Sequence, residues 1–341
     1  MTIKMLVFDF RESEHEFFRS RDFENFDIKF FDYSLDEETI KNVSQDDLDN
    51  AVVISVFINS NINENVINTF KNLRIISTRS TGVDHIDKKA AEEKNIAVVN
   101  VEGYGSKSVA QYTFALLLAL VRRLIPASRY IENKEQVCTN FVGRDVSKLT
   151  LGVVGTGAIG ISVCKLAQSF GMRVLAYDVN QKQELTNTTG AKYVDFNTLL
   201  IESDIVSLHL PYTGENKNMF SAEQFSIMKN TSFLINTSRG ELVNTKDLYN
   251  AISKGAVKGA AIDVVVCEEE NFKCTHFLEK SKINLECAEE VKIVQQLIKL
   301  PNVIVTPHVA YETQDAIDHI LQVSIIGILD CIKGGSSYRI C

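Results

Sequence analysis

Residues 150–160 read TLGVVGTGAIG, and this stretch decides the fold. An apolar run, Leu151 to Val154, opens directly into G-T-G-A-I-G, and Ile159 to Phe170 then keeps helical periodicity. Strand, glycine turn and helix in that order make a phosphate cradle. Gly155 permits the tight turn, Gly157 lets the backbone approach a pyrophosphate, and Gly160 lets the helix pack against the strand. The helix N-terminus adds free N–H groups. Asp178 ends the next apolar run, RVLAYD, roughly 20 residues beyond the last glycine. A carboxylate there accepts both hydroxyls of an adenosine ribose and repels a 2′-phosphate, and Val179-Asn180 adds no arginine. NAD is therefore expected rather than NADP.

The same rhythm extends in both directions. Downstream, DIVSLHL (204–210), FLINTS (233–238) and VKGAAIDV (257–264) read as further buried strands. Upstream, KMLVFD (4–9), FDIKFF (26–31), AVVISV (51–56), RIISTR (74–79) and IAVVNV (96–101) form a first set, with polar helix-forming stretches between the later ones. A long apolar helix is expected from about Lys107 to Arg123. One more strand, NVIVTP, follows near Pro301, then a terminal helix from about Glu312 to Lys333. Alternating strands and helices predict parallel α/β architecture.

Composition bounds the function classes. A chain of 341 residues is longer than one hydrophobic core usually grows, so two domains are expected. The net charge of −8 provides no basic stripe for nucleic acid. No run approaches a membrane span, because the apolar stretch Val109 to Val121 contains Gln111 and Tyr112 and ends at Arg122-Arg123. The N-terminal MTIKMLVFDF lacks the features of a secretory signal, so a cytoplasmic protein is expected. Seven cysteines, odd in number and without a C-x-x-C pair, fit reduced thiols better than a disulfide framework. Cys267, Cys274, His276 and Cys287 crowd one region, but their spacing matches no common zinc pattern, and no metal is expected.

Three later blocks carry a family likeness: INTSRGELVNTKDL (235–248), GAAIDVVVCEEE (259–270) and NVIVTPHVAY (302–311). They resemble the signature blocks of D-isomer-specific 2-hydroxyacid dehydrogenases, nearest the D-lactate dehydrogenase and vancomycin-resistance branch. RSTGVDHID (79–87) and NVEGYGSKSVAQYT (100–113) are similar to that family's substrate loop and hinge. The resemblance implies His308 as general acid/base, Glu268 as its partner, and Arg239 as the group that binds and polarises the 2-keto function. The chemistry needs these types. Hydride moves between nicotinamide and substrate C2 while a proton moves to or from the C2 oxygen, so a group titrating near neutral pH must reach that oxygen. Imidazole fits. A carboxylate beside it favours the protonated ring, and a guanidinium stabilises charge growing on the oxygen.

By the same resemblance, the backbone around Thr81, Gly82 and Val83 receives the substrate carboxylate, and Tyr104 lies beside the substrate. Ala158 and Ile159 face the pyrophosphate, Leu210 and Pro211 the adenosine side, and Asn216, Thr237, Ser238 and Asp263 the ribose or nicotinamide end. A structural role for Asp263 and hinge packing for Tyr104 are the competing readings. Phe57 is either a wall for the substrate's 3-position or a core residue. Val266, Gln111 and Glu312 depart from the family's usual residues, and the segment from Glu269 to Leu300 is lengthened.

These readings combine into two doubly wound parallel-sheet domains. A Rossmann-type NAD domain (102–300) is inserted into a flavodoxin-like substrate domain (1–101 and 301–341), with the active site expected in the cleft. The apolar helix Val109 to Val121 is expected to form a homodimer interface. The expected activity is NADH-dependent reduction of a small 2-keto acid to the D-2-hydroxy acid, pyruvate first. Alternatives are a larger keto acid of hydroxyisocaproate or phenyllactate type, a glycerate type, or a non-enzymatic NAD-sensing scaffold.

Overall fold

A computed structural model describes residues 2–20, 23, 25–101, 103, 105–133, 140–268, 271 and 285–341. The chain divides into two compact units, residues 1–104 with 312–341, and residues 105–311.

The first unit holds β1 (Ile3–Val7), β2 (Phe26–Phe30), β3 (Val53–Val56), β4 (Ile75–Thr78) and β5 (Ala97–Val99). All are parallel in the order β2-β1-β3-β4-β5. The reversal of order between β1 and β3 marks a doubly wound sheet. β3 and β4 are buried along their whole length, as central strands of a parallel sheet covered on both faces must be.

The second unit holds β6 (Thr150–Val154), β7 (Arg173–Tyr177), β8 (Lys192–Tyr193), β9 (Ile205–Leu208), β10 (Phe233–Asn236), β11 (Gly259–Ile262) and β12 (Val303–Val305). They form one parallel sheet in the order β12-β11-β10-β9-β6-β7-β8. The switch between β6 and β9 falls beside the glycine turn, the place where open α/β sheets take ligands. The short edge strand β8 is absent from the sequence reading.

Residues 301–311, expected with the first domain, lie in the second unit. β12 pairs with β11 through Ala260 and Val303, Ala261 and Ile304, and Ile262 and Val305, so NVIV extends the larger sheet.

Five helices bear on the site and its supports: α1 (Ser106–Val121), α2 (Leu124–Asn133), α3 (Ala158–Ser169), α4 (Leu285–Leu297) and α5 (Gln314–Ile332). The apolar stretch expected to form a dimer face is α1, and its own chain buries it. Ala110, Phe114, Leu117 and Leu120 join one core with Val163, Cys164 and Ala167 of α3. Among the described residues no single helix is long and apolar enough to cross a membrane. α1 and α2 pass that test only as a pair bent by 65°.

The expectation of reduced cysteines fails at one place: Cys267 and Cys287 are joined by a disulfide, with Cα atoms 5.8 Å apart. Cys164, Cys331 and Cys341 are free. Burial pushes the Cys164 thiol up to about 12, so it behaves as a small apolar residue. Cys138, Cys274 and His276 lie outside the described residues.

Candidate active site

The glycine turn is built as its residue types require. Gly155 has φ +95°, and a Cβ there would sit 2.5 Å from the His209 carbonyl oxygen. A Cβ on Gly160 would stand 2.0 Å from the Gly155 carbonyl oxygen, so α3 packs this close to the turn only with glycine. Gly157 and Ala158 are exposed at the N-terminus of α3, Ile159 half so, and a Cβ on Gly157 would meet open space. That is a concave run of backbone suited to a pyrophosphate. Leu210 lies over the turn, its Cδ2 2.9 Å from where a Gly155 Cβ would be.

Asp178 follows β7. Its Oδ2 accepts the Thr156 N–H at 2.6 Å and the Thr156 hydroxyl at 3.0 Å, and its Oδ1 accepts the Asn180 N–H at 2.8 Å. Burial works against the charged carboxylate, but the Asn180 and Thr156 donors outweigh it and hold Asp178 below its ordinary range. A carboxylate has about four acceptor positions and three are used here, so room remains for a ribose hydroxyl. Glycine turn, helix N-terminus and Asp178 together fit NAD.

Arg239, Asp263, Glu268 and His308 all follow the C-terminal ends of three adjacent strands, β10, β11 and β12. The His308 Nδ1 lies 2.7 Å from Glu268 Oε2. A carboxylate only accepts, so Nδ1 carries the donated proton and Nε2 takes no part in this contact. His308 sits at φ +55°, and its N–H donates to the Asp263 carbonyl at 2.8 Å. The Asp263 side chain, fully buried, accepts the Thr306 hydroxyl at 2.5 Å and the N–H groups of Val309 and Ala310 at 3.1 and 2.8 Å. Burial pushes this carboxyl up, and the Thr306, Ala310 and Val309 donors offset the push only in part. Of its two readings, the structural one matches this geometry: Asp263 is the post to which the His308 loop is tied.

Arg239 precedes Gly240, whose Cβ would collide with the Val265–Val266 backbone at 2.3 Å, so its loop packs directly on the turn leading to Glu268. Arg239 Nη1 donates to the Ser238 carbonyl at 2.8 Å. Thr237 meets Thr113 of α1 at 3.0 Å, and Ser238 donates to the Leu208 carbonyl at 2.6 Å, which fixes the β10 end. Asn216 binds the Thr213 N–H and donates to the carbonyl of Pro211, bracing its own loop.

In the first unit, the carbonyls of Thr81, Gly82 and Val83 are all taken, by Asn100, Ser80 and the Ile86 N–H. Their N–H groups donate to no described residue. Arg79 is 1% exposed and bound to Glu14, Ser55 and the Phe8 and Asp9 carbonyls, so it is a structural cation. Phe57 is buried beneath the Arg11 guanidinium, 5.0 Å from the ring centre. Tyr104 lies outside the described residues.

Sequence reading missed His209 and Thr156. His209 is buried, its Nε2 2.9 Å from the Ser207 hydroxyl, and burial lowers it to about 3. Its position in DIVSLHLP, between the strand and Leu210, was the available signal.

The sequence signature of "D-isomer specific 2-hydroxyacid dehydrogenase, NAD binding domain" matches residues 114–310. The chain belongs to this family. A D-specific alpha-keto acid dehydrogenase of Enterococcus faecium is 39% identical over 282 residues, 81% of this chain and 82% of that one. A glyoxylate reductase of Korarchaeum cryptofilum is 38% identical over 253 residues, 73% of this chain and 70% of that one. The crystal structure of D-lactate dehydrogenase from Aquifex aeolicus, complexed with NAD and lactic acid, superposes with a TM-score of 0.86 at 31% identity, covering 98% of both chains. The protein is thus an NAD-dependent D-2-hydroxyacid dehydrogenase, which sets aside the scaffold reading.

Proposed function

We propose that this dehydrogenase reduces a small 2-keto acid to the D-2-hydroxy acid with NADH, with pyruvate to D-lactate as the first assignment. The observation that carries the proton chemistry is the 2.7 Å contact between His308 and Glu268. His308 Nε2 gives its proton to the C2 oxygen during reduction and recovers it in the reverse direction, while Glu268 holds the ring in the tautomer that allows this. The Arg239 guanidinium stabilises charge on that oxygen. NADH, when bound, supplies the hydride. Ala158, Ile159 and the glycine turn hold its pyrophosphate and Asp178 its adenosine ribose. Leu210 and Pro211 flank the adenosine, and Asn216, Thr237 and Ser238 brace the loops around the ribose and nicotinamide. The free N–H groups of Thr81, Gly82 and Val83 take the substrate carboxylate, and Tyr104 keeps its assignment beside the substrate.

The lactate-bound relative supports pyruvate, and the glyoxylate reductase relative supports a shorter keto acid as the second reading. A phosphorylated substrate is disfavoured, since Arg79 is already engaged inside the first unit. A cytoplasmic homodimer completes the proposal: NADH is supplied inside the cell, and Leu124, Ile131 and Val142 leave apolar side chains 60%, 75% and 82% exposed along and after α2. The test is NADH oxidation against pyruvate, glyoxylate, 2-ketoisocaproate, phenylpyruvate and hydroxypyruvate, with chiral analysis of product. Fast pyruvate turnover to the D product upholds the assignment, and a preference for glyoxylate or a bulkier acid replaces it.

A further inference from the structure

Glu268 stands one residue after Cys267, and Cys267 is joined to Cys287 near the start of α4. The anchor is firm, because Val294 and Leu297 of the same helix are fully buried in a core with Leu248, Ala251 and Ile252. Cys267 itself has φ +56°, a left-handed conformation that residues with a Cβ adopt rarely. Asn271 supports the turn, donating from its N–H and its Nδ2 to the Cys267 carbonyl at 3.1 and 3.0 Å. Glu268 is held from the other side by the Val265 N–H, 3.3 Å from its Oε1. The crosslink thus fixes the strained residue immediately before Glu268, whose carboxylate meets His308. Both cysteines are half-buried, within reach of small thiols.

We propose that the Cys267–Cys287 disulfide is a redox-controlled positioning element: closed, it keeps Glu268 against His308; opened, it lets Cys267 relax and withdraws Glu268 from the imidazole. The proposal rests on the dehydrogenase reading of this site. A disulfide in a reducing compartment is usually transient and redox-sensing rather than a permanent staple. Closure takes a low-molecular-weight disulfide as oxidant. One cysteine thiolate attacks it and expels one small thiolate, and the second cysteine thiolate then attacks the mixed disulfide and expels the other. Two electrons pass from the cysteine sulfurs to the small molecule, and the two thiol protons end on the released thiolates. Opening is the reverse.

The titratable groups shown acting on His308 include Glu268 at 2.7 Å, Asp263 through its charge and the Tyr311 ring with its centre 6.5 Å away, and the proposed reaction sets the Arg239 guanidinium at the same substrate oxygen. Asp263 and Tyr311 lie outside the closed loop, so the redox state reaches His308 through Glu268.

The test compares protein equilibrated with oxidised glutathione and protein reduced with a trialkylphosphine, after thiol counting confirms two additional thiols in the latter. Keto-acid reduction is then followed from pH 6 to 9. On reduction, kcat/KM is expected to fall about ten-fold at pH 8 and less than about two-fold at pH 6, the alkaline limb having moved to lower pH. NADH affinity should be unchanged. Cys287→Ser should show the reduced profile under both conditions, and Cys331→Ser should respond as the unaltered protein does. Cys267→Gly, which removes the backbone penalty without the crosslink, should lie nearer the oxidised profile than Cys287→Ser. Superimposable profiles for the oxidised, reduced and Cys287→Ser proteins overturn the proposal. So does a uniform loss at every pH, which would mark the crosslink as structural only. Absence of turnover in both redox forms would instead remove the dehydrogenase reading, and this proposal with it.

Discussion

The buried carboxylate of Asp263 accepts the backbone N–H of Ala310 at 2.8 Å, and through this and two companion bonds the end of β11 dictates where the loop bearing His308 lies. A histidine whose backbone sits at φ +55° needs such a tether, because nothing local to Pro307-His308-Val309 favours that conformation.

Asp263→Asn turns one acceptor oxygen into a donor that faces backbone N–H groups. The loop shifts, and kcat/KM for keto-acid reduction is expected to drop roughly 10- to 100-fold, the range a displacement near 1 Å produces. NADH affinity, measured by its fluorescence, should change little. A loss of NADH binding as large as the loss of turnover would assign Asp263 to the cofactor after all.

Glu268→Gln keeps the shape of the His308 partner and removes its charge. The alkaline limb of kcat/KM for reduction is then expected to move to lower pH. A limb that stays in place would uncouple the two residues.

Asp178→Ala removes the acceptor for the ribose hydroxyls and leaves Lys182, which already acts on Asp178 electrostatically, as a cation nearby. Discrimination between NADH and NADPH should relax by about 10- to 100-fold, the worth of a hydrogen bond to a charged group. Unaltered discrimination would reject the role.

His209 provides a stability test. In the folded chain it stays neutral down to about 3, whereas in the unfolded chain it takes up a proton below its ordinary value near 6.5. Between those values the unfolded state binds more protons, so stability rises with pH across that window and is lost as pH falls below 6.5. The slope from this one group is up to about 1.4 kcal/mol per pH unit. His209→Gln, which retains a partner for Ser207, should flatten denaturant-unfolding stability between pH 6.5 and 5 by that slope. An equal slope in both proteins would show that His209 is not the group responsible.

Much of this molecule is legible in one dimension. The apolar runs at 51–56, 74–79, 150–155 and 233–238 became central strands because burial on both faces demands uninterrupted apolar residues. The glycine turn was equally legible, since φ +95° at Gly155 and the close approach at Gly160 tolerate no other residue. Arg239, Glu268 and His308 were singled out by matching blocks, and their order along the chain reflects the adjacency of β10, β11 and β12.

Sequence alone therefore determined the two parallel-sheet units and the dinucleotide turn, because each depends on periodicity or on a conformational requirement within a few residues. Tertiary structure decided the rest: that NVIV pairs with β11 in the larger sheet, that α1 is consumed by its own core, that Asp263 ties down the His308 loop, and that Cys267 finds Cys287. Each of these turns on which distant segments approach within hydrogen-bonding or bonding distance. An apolar strand is equally satisfied by several neighbours, and a cysteine by several partners, until the packing of the sheet brings one of them close.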